Sequence, residues 1–145
     1  MLEKFAEEVK RNLEVLKNRC GNAAHCTLIG IMSLSWLKAH KDNKVQDGAP
    51  QIEGKTADLV LMDKNNNKIA VEVENTVENF KQKVETLNRY INNGYQKGFL
   101  IATFEYRDSS KVKKLKEDLA EANQPISLIV VKRKKGVISD YEIDF

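Results

Sequence analysis

Apolar positions change their spacing along this chain, and each change marks an element. Residues 2–18 place Leu2, Phe5, Val9, Leu13 and Leu16 on one helical stripe. Residues 23–39 are apolar nearly all round, which predicts a buried second helix ending before "HKDNK". Asn43 to Gly54 contains Gly48, Pro50 and Gly54 and reads as loop with room for one short strand. Strand spacing then sets in over 56–63 and 68–75, on either side of an asparagine-rich turn, "KNNN". Helical spacing returns over 76–93, with Val77, Phe80, Val84, Leu87 and Ile91 inward. Asn75 or Thr76 can cap its start, and Asn93-Gly94 can stop it. "GFLIATF" is a buried strand, "DSSKVKKLKEDLAEAN" a helix with Val112, Leu115 and Leu119 inward, and "ISLIVVK" another strand. "KKG" turns the chain into a last alternating strand, "VISDYEIDF". Strands alternating with helices predict an α/β protein, a mixed β-sheet flanked by helices, in one domain over 1–145.

Composition narrows the class. A hydrophobic fraction of 41% with 31% charged residues describes a soluble globular chain. The longest apolar run, Cys26 to Leu37, is too short to cross a bilayer. The N-terminus has the pattern of neither a signal nor a transit peptide, so a cytoplasmic protein is expected. The two cysteines, Cys20 and Cys26, are then expected as thiols, one in a loop and one in the core. With His25 they could be three zinc ligands, but a fourth ligand and the usual C-x-x-C spacing are missing. His40 reads as a solvated loop residue and Trp36 as core. The net charge of +3 does not by itself imply nucleic acid. Two basic runs, "KVKKLK" (Lys111 to Lys116) and "KRKK" (Lys132 to Lys135), suit a phosphate-bearing partner or a solvated face.

The candidate chemistry lies in the strand pair. In "KIAVEVE", Ile69, Val71 and Val73 share one face, and Ala70, Glu72 and Glu74 the other. In "ADLVLMD", Leu59 and Leu61 share one face, and Asp58, Val60 and Met62 the other. Pairing residues whose numbers sum to 130 puts both apolar sets on one face and sets Asp58 opposite Glu72. A one-residue slip would drive Asp58 among the valines, so the apolar pattern selects the register that clusters the acids. Directly opposed side chains lie ~5 Å apart, where like charges destabilise. At an effective dielectric near 20 the repulsion is on the order of 3 kcal/mol. Exposure to water, a raised pKa or a bound cation would each relieve it. Grouped hard oxygen ligands suit Mg²⁺ or Mn²⁺ rather than zinc.

An acid on one strand, a hairpin, then an acid-x-acid on the next strand, followed by a helix and a buried strand, resembles the P-D-(D/E)-x-K nuclease superfamily. The residues that carry the resemblance are Asp58 in "TADLVL" and Glu72 and Glu74 in "AVEVEN", within roughly 53–104. The resemblance implies a restriction-endonuclease-like core (α-β-β-β-α-β), with a further C-terminal helix and β-hairpin. It implies a Mg²⁺- or Mn²⁺-dependent endonuclease acting on nucleic acid, DNA foremost, and a homodimer. Asp58, Glu72 and the backbone carbonyl of Val73 would hold the metal. Glu74 stands where the family has lysine, and would orient the attacking water. Some restriction enzymes of the superfamily carry glutamate there. Alternatively a lysine of the following helix, Lys81 or Lys83, reaches the site. The family often adds an acid from the preceding helix, for which Glu14 and Glu53 are the candidates. "TLNRY" keeps the tyrosine of the RecB-type Q-x-x-x-Y but not its glutamine. Two other readings remain open: an inactive nuclease fold that binds nucleic acid or a protein, and an unrelated interaction protein whose acids are the wet face of a hairpin.

Overall fold

The structure, a computed structural model, describes residues 23–46, 48–74, 80–104, 109–134 and 137–140. The expected helix over 2–18, the Asn75 and Thr76 caps and residues 141–145 lie outside them. The described elements are α1 (Ala23–Ala39), β1 (Lys44–Val45), β2 (Gln51–Ile52), β3 (Lys55–Thr56), β4 (Leu59–Met62), β5 (Lys68–Glu74), α2 (Phe80–Asn92), β6 (Lys97–Phe104), α3 (Ser109–Ala122), β7 (Ile126–Lys134) and β8 (Val137–Asp140). Six strands form one mixed sheet in the order β1-β4-β5-β6-β7-β8. β1, β4 and β5 pair antiparallel, β5, β6 and β7 run parallel, and β8 returns antiparallel. The α/β class and the helix-flanked mixed sheet are therefore as expected.

The β4–β5 register is the one the apolar pattern selects: Leu59 pairs with Val71 and Leu61 with Ile69. Asp63 closes the turn between them. Its Oδ1 accepts the backbone N–H groups of Asn65 and Asn67, and its Oδ2 accepts from the Asn67 amide. Asn66 sits in the left-handed region at φ 62°, a conformation asparagine tolerates.

Both faces of the sheet are covered. On one, Leu28, Ile29, Met32 and Trp36 of α1 pack on Leu59, Leu61, Ile69, Val71 and Val73. On the other, Leu87 and Tyr90 of α2 form a buried cluster with Val60, Ala70, Leu100 and Ile126, against which Leu115 and Leu119 of α3 pack. α2 lies close: a Cβ at Gly98 would come within 3.1 Å of Leu87. α2 ends where Gly94 takes φ 97°, and the Tyr95 N–H closes back on the Tyr90 carbonyl.

Ahead of β4 the chain does more than the single short strand expected there. β2 and β3 form a two-stranded sheet of their own, turning at Glu53 (φ 50°) and Gly54 (φ 79°). The strand expected over 56–63 is accordingly split between β3 and β4, with Ala57 and Asp58 at the joint.

Candidate functional site

Asp58 stands at that joint, one residue before β4. The backbone N–H of Asp58 donates to the Val71 carbonyl, just beyond the ladder that starts at Leu59, and its Oδ2 accepts the Val73 N–H at 2.8 Å. Glu72 lies on β5, on the face that α2 covers, and is only 2% exposed. The alternating V-E-V-E is therefore not the wet face of a hairpin. A helix sits over it.

That helix supplies the counter-ion. Lys83 of α2 places Nζ 3.0 Å from Glu72 Oε2 and 3.5 Å from Asp58 Oδ2. From the sheet's other side, His25 of α1 brings Nε2 to 3.4 Å from the same Asp58 oxygen. Three elements that are distant in sequence thus meet on one pair of carboxylates.

The environments of the two acids pull their pKa values apart. Burial raises both. At Asp58 it is outweighed by hydrogen bonds with His25 and Glu72, the charge of Lys83 and the Val73 N–H, which hold the carboxyl at about 2. At Glu72, burial, the hydrogen bond to Asp58 and the Asp58 charge together push it up to about 8, and Lys83 offsets only part. Burial lowers Lys83, but the charges of Asp58, Glu72 and Glu74 outweigh it and its pKa rises. The resting arrangement is one carboxylate, one proton held between the acids, and one ammonium. Opposed acids with divergent affinities for a proton are a recurrent feature of catalytic carboxylate pairs.

The backbone that carries Asp58 is itself pinned. The Tyr90 hydroxyl accepts the Ala57 N–H at 2.8 Å and donates to the Pro50 carbonyl, and the ring is fully buried. Tyr90→Phe leaves the ring in place and orphans the Ala57 N–H. A loss of about 1–3 kcal/mol in urea denaturation is expected. A variant as stable as wild type would show that the hydroxyl does not hold the joint.

The other expected site residues divide. Glu74 is half-buried at the end of β5 and adds its charge to the field at Lys83. Lys81 is exposed, and the lysine that reaches the acids is Lys83. Val73 contributes its N–H to Asp58. Glu53 is at the β2–β3 turn, 65% exposed and 4.0 Å from Arg89, away from the acids. Glu14 lies outside the described residues. His40 follows α1, where its Nδ1 accepts the Asp42 N–H.

Residue-by-residue reading missed His25 as a neighbour of Asp58. Its proximity to two cysteines drew it toward a zinc reading, and nothing local links it to a residue 33 positions later. Cys26 is disulfide-bonded, which corrects the expectation of a core thiol, although it does pack against the α1-side core. The expectation rested on compartment, which is not a property of the fold. Cys20, the only other cysteine in the sequence, lies outside the described residues.

Among the described residues no group of three or more His, Cys, Asp or Glu side chains is arranged to hold a metal, and no helix is long and apolar enough to cross a membrane. Set against known proteins, the chain matches no family model, no curated protein and no solved structure.

Proposed function

We propose that this protein is a metal-dependent endonuclease whose site is Asp58, Glu72 and Lys83. The observation that carries the reading is the Lys83 ammonium seated on both carboxylates. The superfamily that the sequence resembles pairs two acids with a lysine in most of its members, and the residue two places after Glu72 is Glu74. The helix supplies the lysine that the strand lacks.

The donor set fits Mg²⁺ or Mn²⁺. Mg²⁺ is usually held by one or two carboxylates and keeps several of its waters, so it needs no dedicated cage. A divalent ion would also relieve the repulsion that makes Glu72 hold a proton. Asp58, Glu72 and the Val73 carbonyl would hold it, and when bound it supplies an activated water and a charge opposite the scissile phosphate. The remaining work belongs to the chain. Lys83 orients the water and stabilises negative charge developing on the phosphate. The Val73 N–H and His25 fix Asp58 in one orientation. Tyr90 holds the turn from which Asp58 projects. Cutting both strands of a duplex requires two such sites, and a homodimer is part of the proposal.

The test is cleavage of duplex, single-stranded and branched DNA, and of RNA, with Mg²⁺ or Mn²⁺. Wild type is expected to cut. Asp58→Ala and Glu72→Ala are each expected to lose at least about a hundredfold. Wild type that cuts nothing, or variants that cut as well as wild type, would defeat the reading. A fold that binds without cutting would then take its place.

A further inference from the structure

Among the described residues, the basic run on α3 is not where positive charge is most concentrated. α3 carries Lys111, Lys113, Lys114 and Lys116, but also Glu117, Asp118 and Glu121. The concentration lies at the opposite end of the sheet from the acids, where β5 and β6 begin.

Three separate segments converge there. Trp36 Nε1 donates to the Met62 carbonyl, which ties the end of α1, with Lys38 and Lys41 after it, to the end of β4. Lys44 and Lys68 are the two ladder partners of Met62, one on either side. Lys64 is in the turn between β4 and β5, and Lys97 pairs with Ile69 at the start of β6. Five of these six lysines are exposed and Lys97 is half-buried. None of the six lies within 4.0 Å of a carboxylate among the described residues.

The aspartates of this edge are turned to local duties. Asp63 is spent on Asn65 and Asn67. Asp42 lies 3.9 Å from His40. Six lysines against two aspartates leave four positive charges, one more than the net charge of the whole 145-residue chain. The rest of the molecule is therefore net negative by one. Lys44 and Lys68 share one face of the sheet, and Lys97, paired with Ile69 and lying over the Phe99 ring, stands on the other. The edge they wrap, from β1 to β6, spans ~14 Å, a length over which duplex DNA carries on the order of eight phosphates counting both strands. Between the lysines stand Asn65, Asn66 and Gln96, uncharged groups suited to phosphate and sugar oxygens.

We infer that this lysine edge is a binding surface for the phosphodiester backbone of DNA, separate from the Asp58–Glu72 pair. Lys68 and Glu72 are four residues apart on β5, ~13 Å. A polynucleotide anchored on the lysines is held near the acids without occupying them, which raises its effective concentration there. The surface works by charge and needs neither metal nor acids.

The experiment measures binding of labelled duplex DNA in EDTA across a salt series. One variant is Lys41→Gln/Lys44→Gln/Lys64→Gln. The comparison, with equal charge change, is Lys113→Gln/Lys114→Gln/Lys116→Gln. Urea midpoints matching wild type establish that both fold. The first is expected to reduce the slope of log K against log salt by about 2–3 and the second by less than half that. The inference is overturned if the α3 variant shows the larger loss, if neither changes the slope, or if wild type binds RNA or polyglutamate but not DNA. A protein that binds as expected and never cuts with Mg²⁺ leaves this surface standing and defeats the nuclease reading alone.

Discussion

Glu72→Gln is expected to remove most of the pH dependence of stability between about pH 4.5 and 8 in the metal-free protein. The ordinary carboxyl of the unfolded chain ionises near 4.5, whereas in the fold Glu72 keeps its proton to about 8. Across that interval the unfolded state releases a proton that the folded state retains, so stability falls as pH rises. If the whole displacement acts on stability, the loss is about 3–5 kcal/mol. The amide of the variant keeps the shape and a hydrogen-bonding oxygen for Lys83 while discarding the charge. Asp58 works in the opposite direction and another window. Its carboxyl is held at about 2, against 3.8 in the ordinary case, so its contribution is present above 3.8 and is lost as pH falls toward 2. Urea unfolding in EDTA from pH 4 to 9 isolates the Glu72 contribution, because the Asp58 window lies below that range. Wild type should be most stable near pH 4–5, and Glu72→Gln should overtake it in alkaline buffer. Parallel curves for the two proteins would mean that Glu72 ionises normally. The same variant should not cut nucleic acid, because the site loses half of its hard, charged oxygen set.

The second large effect is at Lys83. Lys83→Met should cost about 2–4 kcal/mol at pH 8, since removing one partner of a buried ion pair leaves the other uncompensated. At pH 5 the loss should shrink, because Glu72 is then fully protonated and only Asp58 is left without its counter-charge. Cleavage should fall by about 10²–10⁴, the usual contribution of a positioned proton-transfer or charge-stabilising group. Lys81→Met is the comparison that gives the result meaning. Its side chain is exposed, and its stability should stay within about 0.5 kcal/mol of wild type. Equal cleavage losses in the two variants would indicate a general loss of positive charge rather than a lysine acting on the acids.

How far each feature could be read from sequence follows the range of the interaction that makes it. The Asp58–Glu72 pairing was legible because a hairpin's register is decided locally, by which side chains must share the buried face. The end of α1 was legible because apolar residues give way to polar ones at His40. Choosing Lys83 over Lys81 was not a local matter. The two lie about 200° apart round a helix, and which one meets the sheet depends on how Leu87 and Tyr90 seat α2 against Gly98 and Ala57. The burial of Glu72 depends on that same seating, so a strand that alternates like a half-wet one is covered on both faces. His25 reaches Asp58 from the opposite layer, and no spacing rule spans two layers. The lysine edge has the same origin. Lysines 38–44, 64–68 and 97 are unremarkable in sequence and become neighbours only when the β1–β4–β5–β6 pairings form.

The sheet's border on the α1 side has its own consequence. β1 is two residues long, and one of them is the exposed Lys44. An unpaired border strand is the template on which a second chain adds its own strand, and such growth leads to swapped dimers and fibrils. Here the template offers almost no ladder to extend, and joining it would bring lysine against lysine. Among the described residues, β1 therefore offers two copies of this chain little on which to build a continuous sheet.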